Sequence, residues 1–170
     1  MRIHQMQDSR NSNKIRLTLA HLGLNTICAD IDIRTDELWM QVVLTSLNDN
    51  GQVPVLELHD GTALSEPNAI TWYVTQDSEM VPVHRLQKAQ TLQWIYCAQD
   101  SHEPYIVTVR FSRPILSDEV GHGVQIHETN SNGYAAIGVI ERRLTTRDFF
   151  SADIAVYAFA HLVYAVEFGL

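Results

Sequence analysis

Short alternating apolar runs mark the first half of this chain, and helical spacing marks the second. Val53 to Leu58 alternates as a buried strand with Pro54 at its start. A proline cannot donate a ladder hydrogen bond, so it belongs at a strand beginning or an edge. The Val53–Pro54 bond is expected to be cis, which would turn the Val53 amide and carbonyl toward an extended peptide. Asn25 to Asp32 alternates in the same way, and Arg2 to Met6 reads as a short strand. Between them Ile15, Leu19 and Leu22 fall at i, i+4 and i+7, which predicts a helix over Ser12–Leu22 ended by Gly23. A second helix is predicted from Thr35 to about Thr45. His59-Asp60-Gly61-Thr62 is a tight hairpin turn. A third helix runs from Glu66 to about Thr75, with Ser65 or Glu66 as N-cap and Pro67 at its first position. The order β-α-β-α-β-β-α is what a thioredoxin-like domain requires.

Gln76 to Pro82 reads as a linker, and the remainder is all-helical. A helix begins at Arg85 with Ala89, Leu92 and Tyr96 on one face, breaks near Pro104, and resumes over Tyr105–Phe111. Ser117 to Asn132, rich in Gly, His and Asn, is expected to be partly irregular. Tyr134–Leu144 is helical with Ile137, Ile140 and Leu144 in register. Ala152–Val166 has the clearest helical period, through Ile154, Tyr157, Ala158, His161, Leu162 and Ala165. Val156, Phe159, Val163 and Val166 add a second apolar face there, which is expected to form an exposed patch or a dimer contact. The expected domains are residues 1–78 and 85–170.

Composition narrows the function. A chain of 170 residues can bury a core as one domain or two small ones. The net charge of −8 argues against nucleic acid or an anionic membrane as partner. Cys28 and Cys97 are far apart, which points to a reducing, cytoplasmic setting and against dithiol chemistry. The longest apolar run, Ile154 to Val166, is interrupted by His161 and falls short of the ~20 residues of a membrane span. His122 and His127 belong to no metal-ligand set, so no metal is expected. No dinucleotide, Walker or nucleophile-elbow motif is present.

The chemistry gathers around three stretches. Asn50-Gly-Gln-Val-Pro-Val-Leu-Glu-Leu58 is followed by Asp60-Gly-Thr-Ala-Leu-Ser-Glu-Pro-Asn-Ala-Ile70, a strand beside the N-terminus of a helix. Such a helix end suits a carboxylate. Upstream lies Ser9-Arg-Asn-Ser-Asn-Lys-Ile-Arg-Leu17. Together these resemble the glutathione S-transferases, in particular bacterial serine-type members.

The resemblance implies a thioredoxin-like domain followed by an α-helical domain, the latter shortened at its end. Glutathione is the implied co-substrate, a small hydrophobic electrophile its partner in a detoxifying transfer, and a homodimer the assembly. Ser9 matches the catalytic serine, whose hydroxyl donates to the glutathione sulfur and stabilises the thiolate. Asn11 matches an asparagine that adds a second donor. Gln52, Val53 and Pro54 would hold the middle of the tripeptide, and Glu66 with the helix opened by Pro67 its γ-glutamyl end. Tyr105 and Arg110 match positions facing the second substrate; a core aromatic and a solvated arginine are the plain alternative. For Ser9 the plain alternative is a helix cap, and for Glu66 a first-turn carboxylate. Arg10 stands where the family has glycine, Pro67 where it usually has serine, and Phe150 where a capping hydroxyl precedes Asp153. A non-catalytic protein of the same fold, or glutathione-dependent isomerase or peroxidase activity, are the other readings.

Overall fold

The computed structural model describes residues 1–32, 38–105 and 119–145. The chain divides into two compact units, Met1–Val81 and Pro82–Leu170.

The first unit contains β1 (Arg2–Gln5), α1 (Arg10–His21), β2 (Ile27–Asp30), α2 (Leu38–Leu47), β3 (Val55–Glu57), β4 (Ala63–Leu64) and α3 (Pro67–Thr75). Its sheet has the order β2-β1-β3-β4. β1 pairs parallel with β2 and antiparallel with β3, and β3 pairs antiparallel with β4. The Val53–Pro54 bond is cis, the isomer anticipated from Gln-Val-Pro-Val.

Ile3 and Leu56 are register partners, so both side chains leave the same face of the sheet. Against them pack Ile15 and Leu19, one turn apart on α1, and Ile70 of α3. Met1, Leu58, Leu64 and Val74 close the edges of this core. Each side chain of this size contributes about 1.5–3 kcal/mol on burial.

α1 starts earlier than its apolar spacing predicts. Ser9, in extended conformation, accepts a hydrogen bond from the Ser12 amide and caps the helix, so Arg10 becomes its first residue. Among the described residues Glu66 is the non-glycine with positive φ, so Arg10 stands without backbone strain where the resembling family has glycine. At the far end the Leu24 amide reaches the Leu19 carbonyl and the Gly23 amide that of Ala20. Gly23 sits at φ +65°, the left-handed residue that this ending needs.

The other face of the sheet carries an ion cluster. His4 Nε2 donates to Glu57 Oε2 at 2.8 Å, and Arg2 Nη1 stands 3.7 Å from the same oxygen. The hydrogen bond from His4, with the charges of His4, Arg2 and the N-terminus, lowers the Glu57 pKa below its ordinary 4.5. A lowered carboxylate pKa stabilises the fold above the unfolded-state value, and that contribution is lost as pH falls through the folded-state value. Glu57→Gln should therefore destabilise the protein at pH 7 and cost progressively less as pH falls below 4.5. Urea midpoints at several pH values check this; a gap that stays constant with pH would contradict it.

The second unit contains α4 (Arg85–Cys97), a π-helical turn (Ala98–His102) and α5 (Glu119–Leu144). His84 caps α4, its Nδ1 accepting from the Leu86 amide at 3.3 Å. The buried stripe of α4 differs from the predicted one. Thr91, Ile95 and the following Ala98 are buried, whereas Ala89 is exposed and Tyr96 is 57% exposed. Thr91 tolerates burial because its hydroxyl donates to the Gln87 carbonyl at 3.0 Å.

The break predicted near Pro104 is a widened turn instead. The Glu103 amide bonds the Ala98 carbonyl, five residues back, and Glu103–Tyr105 remain helical. A proline removes one helical donor and crowds the preceding turn, and a π-turn accommodates both.

The irregular segment expected within Ser117–Asn132 is also corrected: Glu119–Leu144 is one continuous helix. Glycine and asparagine lower helix propensity by at most about 1 kcal/mol each, which tertiary packing overrides. Gly133 is buried in this helix, and the Arg143 guanidinium lies 5.7 Å from the centre of the Trp94 ring. Arg110, Phe150 and the Ala152–Val166 segment with its two apolar faces lie outside the described residues. No helix among the described residues is long and apolar enough to cross a membrane.

Candidate functional site

Strand register brings three chain segments to one end of the first unit's sheet. His4 pairs with Val55, so the exit of β1 toward Ser9 lies beside the entry to β3, where Val53 and Pro54 stand. Leu56 pairs with Leu64, and continuing that antiparallel register by two residues carries Glu66 toward Pro54. α1 and α3 therefore begin at the same sheet end, and a side-chain bond ties them. Lys14 Nζ, on a residue only 1% exposed, donates to Asn68 Oδ1 at 2.8 Å.

Ser9 is half-buried and caps α1 with its oxygen. The two readings offered by the sequence are chemically compatible. Capping uses a lone pair of Oγ, which accepts from the Ser12 amide at 3.3 Å, while donation to a sulfur uses the hydroxyl proton. A hydroxyl that accepts one hydrogen bond is polarised into a better donor of another. Asn11 follows in the first turn, half-buried.

The loop before Val53 is held by Asn48. Its Oδ1 accepts from the Asn50 amide at 3.2 Å and its Nδ2 donates to the Gln52 carbonyl at 2.9 Å. Gly51 sits at φ +60° within it. The Gln52 side chain is exposed, Val53 is half-buried and Pro54 is buried.

Glu66 is the N-cap of α3, with φ 68° and ψ 112° and no side-chain capping bond. Pro67 follows at the first helical position, so the helix opens with one amide fewer than usual. A non-glycine at such a φ carries strain of about 1–3 kcal/mol. Comparing Glu66→Gly with Glu66→Ala isolates that strain, because both remove the carboxylate. The glycine variant should be the more stable by about 1 kcal/mol in urea unfolding. Equal stabilities would show that the surrounding fold imposes no such penalty.

Of the other expected residues, Tyr105 is half-buried in the short helical run after the π-turn of the second unit. Lys14, Asn48 and Asn68 escaped the sequence reading. Lys14 stands within a helical face otherwise made of Ser12, Ile15, Thr18 and Leu19, and that company was the available signal. The two cysteines are free. Cys28 is exposed, while burial, and then the charge of Asp100, push the Cys97 thiol up.

A parallel β1–β2 pair, an antiparallel β3–β4 extension and a cis-proline entering β3 define a thioredoxin-like domain, here followed, among the described residues, by helices without strands. Residues 8–76 match the family described as glutathione S-transferase, N-terminal domain. A crystal structure of a Pseudomonas fluorescens glutathione S-transferase is 32% identical, with 98% of this chain and 85% of that one covered and a TM-score of 0.88. The chain belongs to the glutathione S-transferase family. Glutathione S-transferase GstA of Escherichia coli O157:H7 is 29% identical over 103 residues, 58% of this chain. That match spans about half, 51%, of the curated relative's length. A glutathione transferase from Pseudomonas putida shares the fold at a TM-score of 0.85 and 21% identity, with 97% of this chain and 76% of that one covered.

Proposed function

We propose that this protein binds glutathione at the β1–β3 end of its sheet and activates the thiol for transfer to a small hydrophobic electrophile. The observation that carries the reading is Ser9: its oxygen is engaged by the Ser12 amide and its proton is available at the start of α1. In this mechanism the thiol releases its proton to water while the Ser9 hydroxyl, keeping its own proton, donates a hydrogen bond to the sulfur. The thiolate is thereby favoured at neutral pH, and it attacks the electrophilic carbon while the leaving group departs. Asn11 supplies a further donor on the same helix turn. Gln52 and the Val53–Pro54 backbone hold the middle of the tripeptide. Glu66 receives the γ-glutamyl ammonium, and the amides of α3 following Pro67 face its carboxylate. The family resemblance assigns Tyr105 and Arg110 to the electrophile. The Pseudomonas putida relative, described with one glutathione disulfide bound per subunit, supports the ligand.

The assembly in this reading is a homodimer. Tyr73 on α3, 49% exposed, offers it apolar surface. The setting is cytoplasmic, in keeping with two free cysteines. Conjugation of glutathione to an activated aryl halide, followed by absorbance, tests the reading. Saturable, protein-dependent turnover is expected. Binding without turnover would favour a non-catalytic protein of the same fold.

A further inference from the structure

At the end of β1 from which the Ser9 turn leaves lies a closed polar ring that the proposed chemistry has not used. Gln5, the last residue of β1, is 3% exposed and pairs in register with Asp30, the last residue of β2. Its Nε2 donates to Asp30 Oδ1 at 2.8 Å, and its Oε1 accepts from Arg16 Nη1 at 3.0 Å. The other Asp30 oxygen accepts from Gln7 Nε2 at 3.1 Å. Arg16 Nη2 donates to the Gln7 carbonyl at 3.0 Å and reaches Asn13 Oδ1 at 3.4 Å. The ring thus runs from Arg16 through Gln5, Asp30 and Gln7 back to Arg16. It joins α1, β1, β2 and the turn between β1 and α1.

That turn carries Ser9. The Ser9 amide closes it on the Met6 carbonyl at 3.1 Å, and the Met6 amide donates to Ser12 Oγ at 3.3 Å. Gln7 is its second residue, held at once by its side chain and by its carbonyl. We infer that Arg16 is a positioning residue for Ser9. Its forked guanidinium, through Gln5, Gln7 and Asp30, fixes the turn that aims the serine hydroxyl. The inference rests on the glutathione reading for its consequence, although not for its geometry. The guanidinium acts by its shape as well as its charge. Two guanidinium nitrogens serve acceptors on different elements at once, and a lysine ammonium on a flexible stem does not reproduce that fork.

The test uses the full chain with Arg16→Lys and Arg16→Met, and Gln7→Ala as a milder variant should either fail to fold. Amide hydrogen exchange reads the turn directly. Exchange at Met6 and Ser9 should be at least about tenfold faster in the variants, with Ile3 and Ile70 unchanged. Thiolate absorbance of bound glutathione against pH reads the consequence. The midpoint should move up toward that of free glutathione, with Arg16→Lys failing to rescue it, while glutathione affinity changes less than about threefold. Unchanged exchange at Met6 and Ser9 overturns the inference. So does faster exchange with an unmoved thiol midpoint, which would make the ring purely structural. If the wild-type protein binds no glutathione, the functional reading fails, and exchange alone then decides whether Arg16 fixes the turn.

Discussion

Ser9→Ala should lower turnover in glutathione conjugation by about 10²-fold, with the KM for glutathione little changed. In the proposed mechanism the hydroxyl matters most to the charged sulfur, so its loss should fall on the step that needs thiolate and spare ground-state binding. Ser9 is also the cap of α1, and alanine there removes about 1 kcal/mol of helix stability. Two further substitutions separate these roles. Ser9→Thr keeps both the acceptor and the proton, and should retain most activity. Ser9→Asp keeps the acceptor for the Ser12 amide but sets a negative charge against the thiolate, so it should be well folded and inactive. Steady-state kinetics beside urea unfolding of the three variants provides the check. Equal turnover in Ser9→Ala and wild type would remove Ser9 from the chemistry and leave it a cap.

Pro67→Ser should strengthen glutathione binding by one to two orders of magnitude. Pro67 opens α3 without an amide proton and without a hydroxyl, beside a Glu66 that makes no side-chain capping bond. Serine restores two donors where the γ-glutamyl carboxylate is proposed to sit, and a hydrogen bond to a charged group is worth about 1.5–3 kcal/mol. Serine is compatible with a first helical turn, so the urea midpoint should barely move. Calorimetric affinities of the two proteins decide the matter. No gain in the serine variant would mean that the carboxylate is bound elsewhere.

Much of the first unit was legible because its patterns are local. Ile15 and Leu19 announce the buried side of α1, Asp60-Gly61 announces the turn into β4, and Gln-Val-Pro-Val announces the cis-proline. The boundaries were less legible, since Ser9 rather than the first apolar residue decides where α1 begins. The Arg16 ring was not legible, because it depends on Gln5 and Asp30 meeting across a parallel pair and on a turn brought beneath α1. Lys14 illustrates the same limit: a lysine in a helix reads as solvated until a partner such as Asn68, 54 positions away, is seen beside it. In the second unit composition misled. The glycines and asparagines before Tyr134 suggested a loop, and α5 runs through them. On α4 the apolar pattern pointed to Leu92 and Tyr96, while Thr91, satisfied by its own helix, took the buried side with Ile95.

Calorimetric titration of the wild-type protein and of Glu66→Ala with reduced glutathione tests the central claim most directly. The account predicts one saturable site per chain in the wild type and a loss of at least about tenfold in affinity when the carboxylate is removed. Absence of binding by the wild-type chain, or equal affinity in the two proteins, would contradict it.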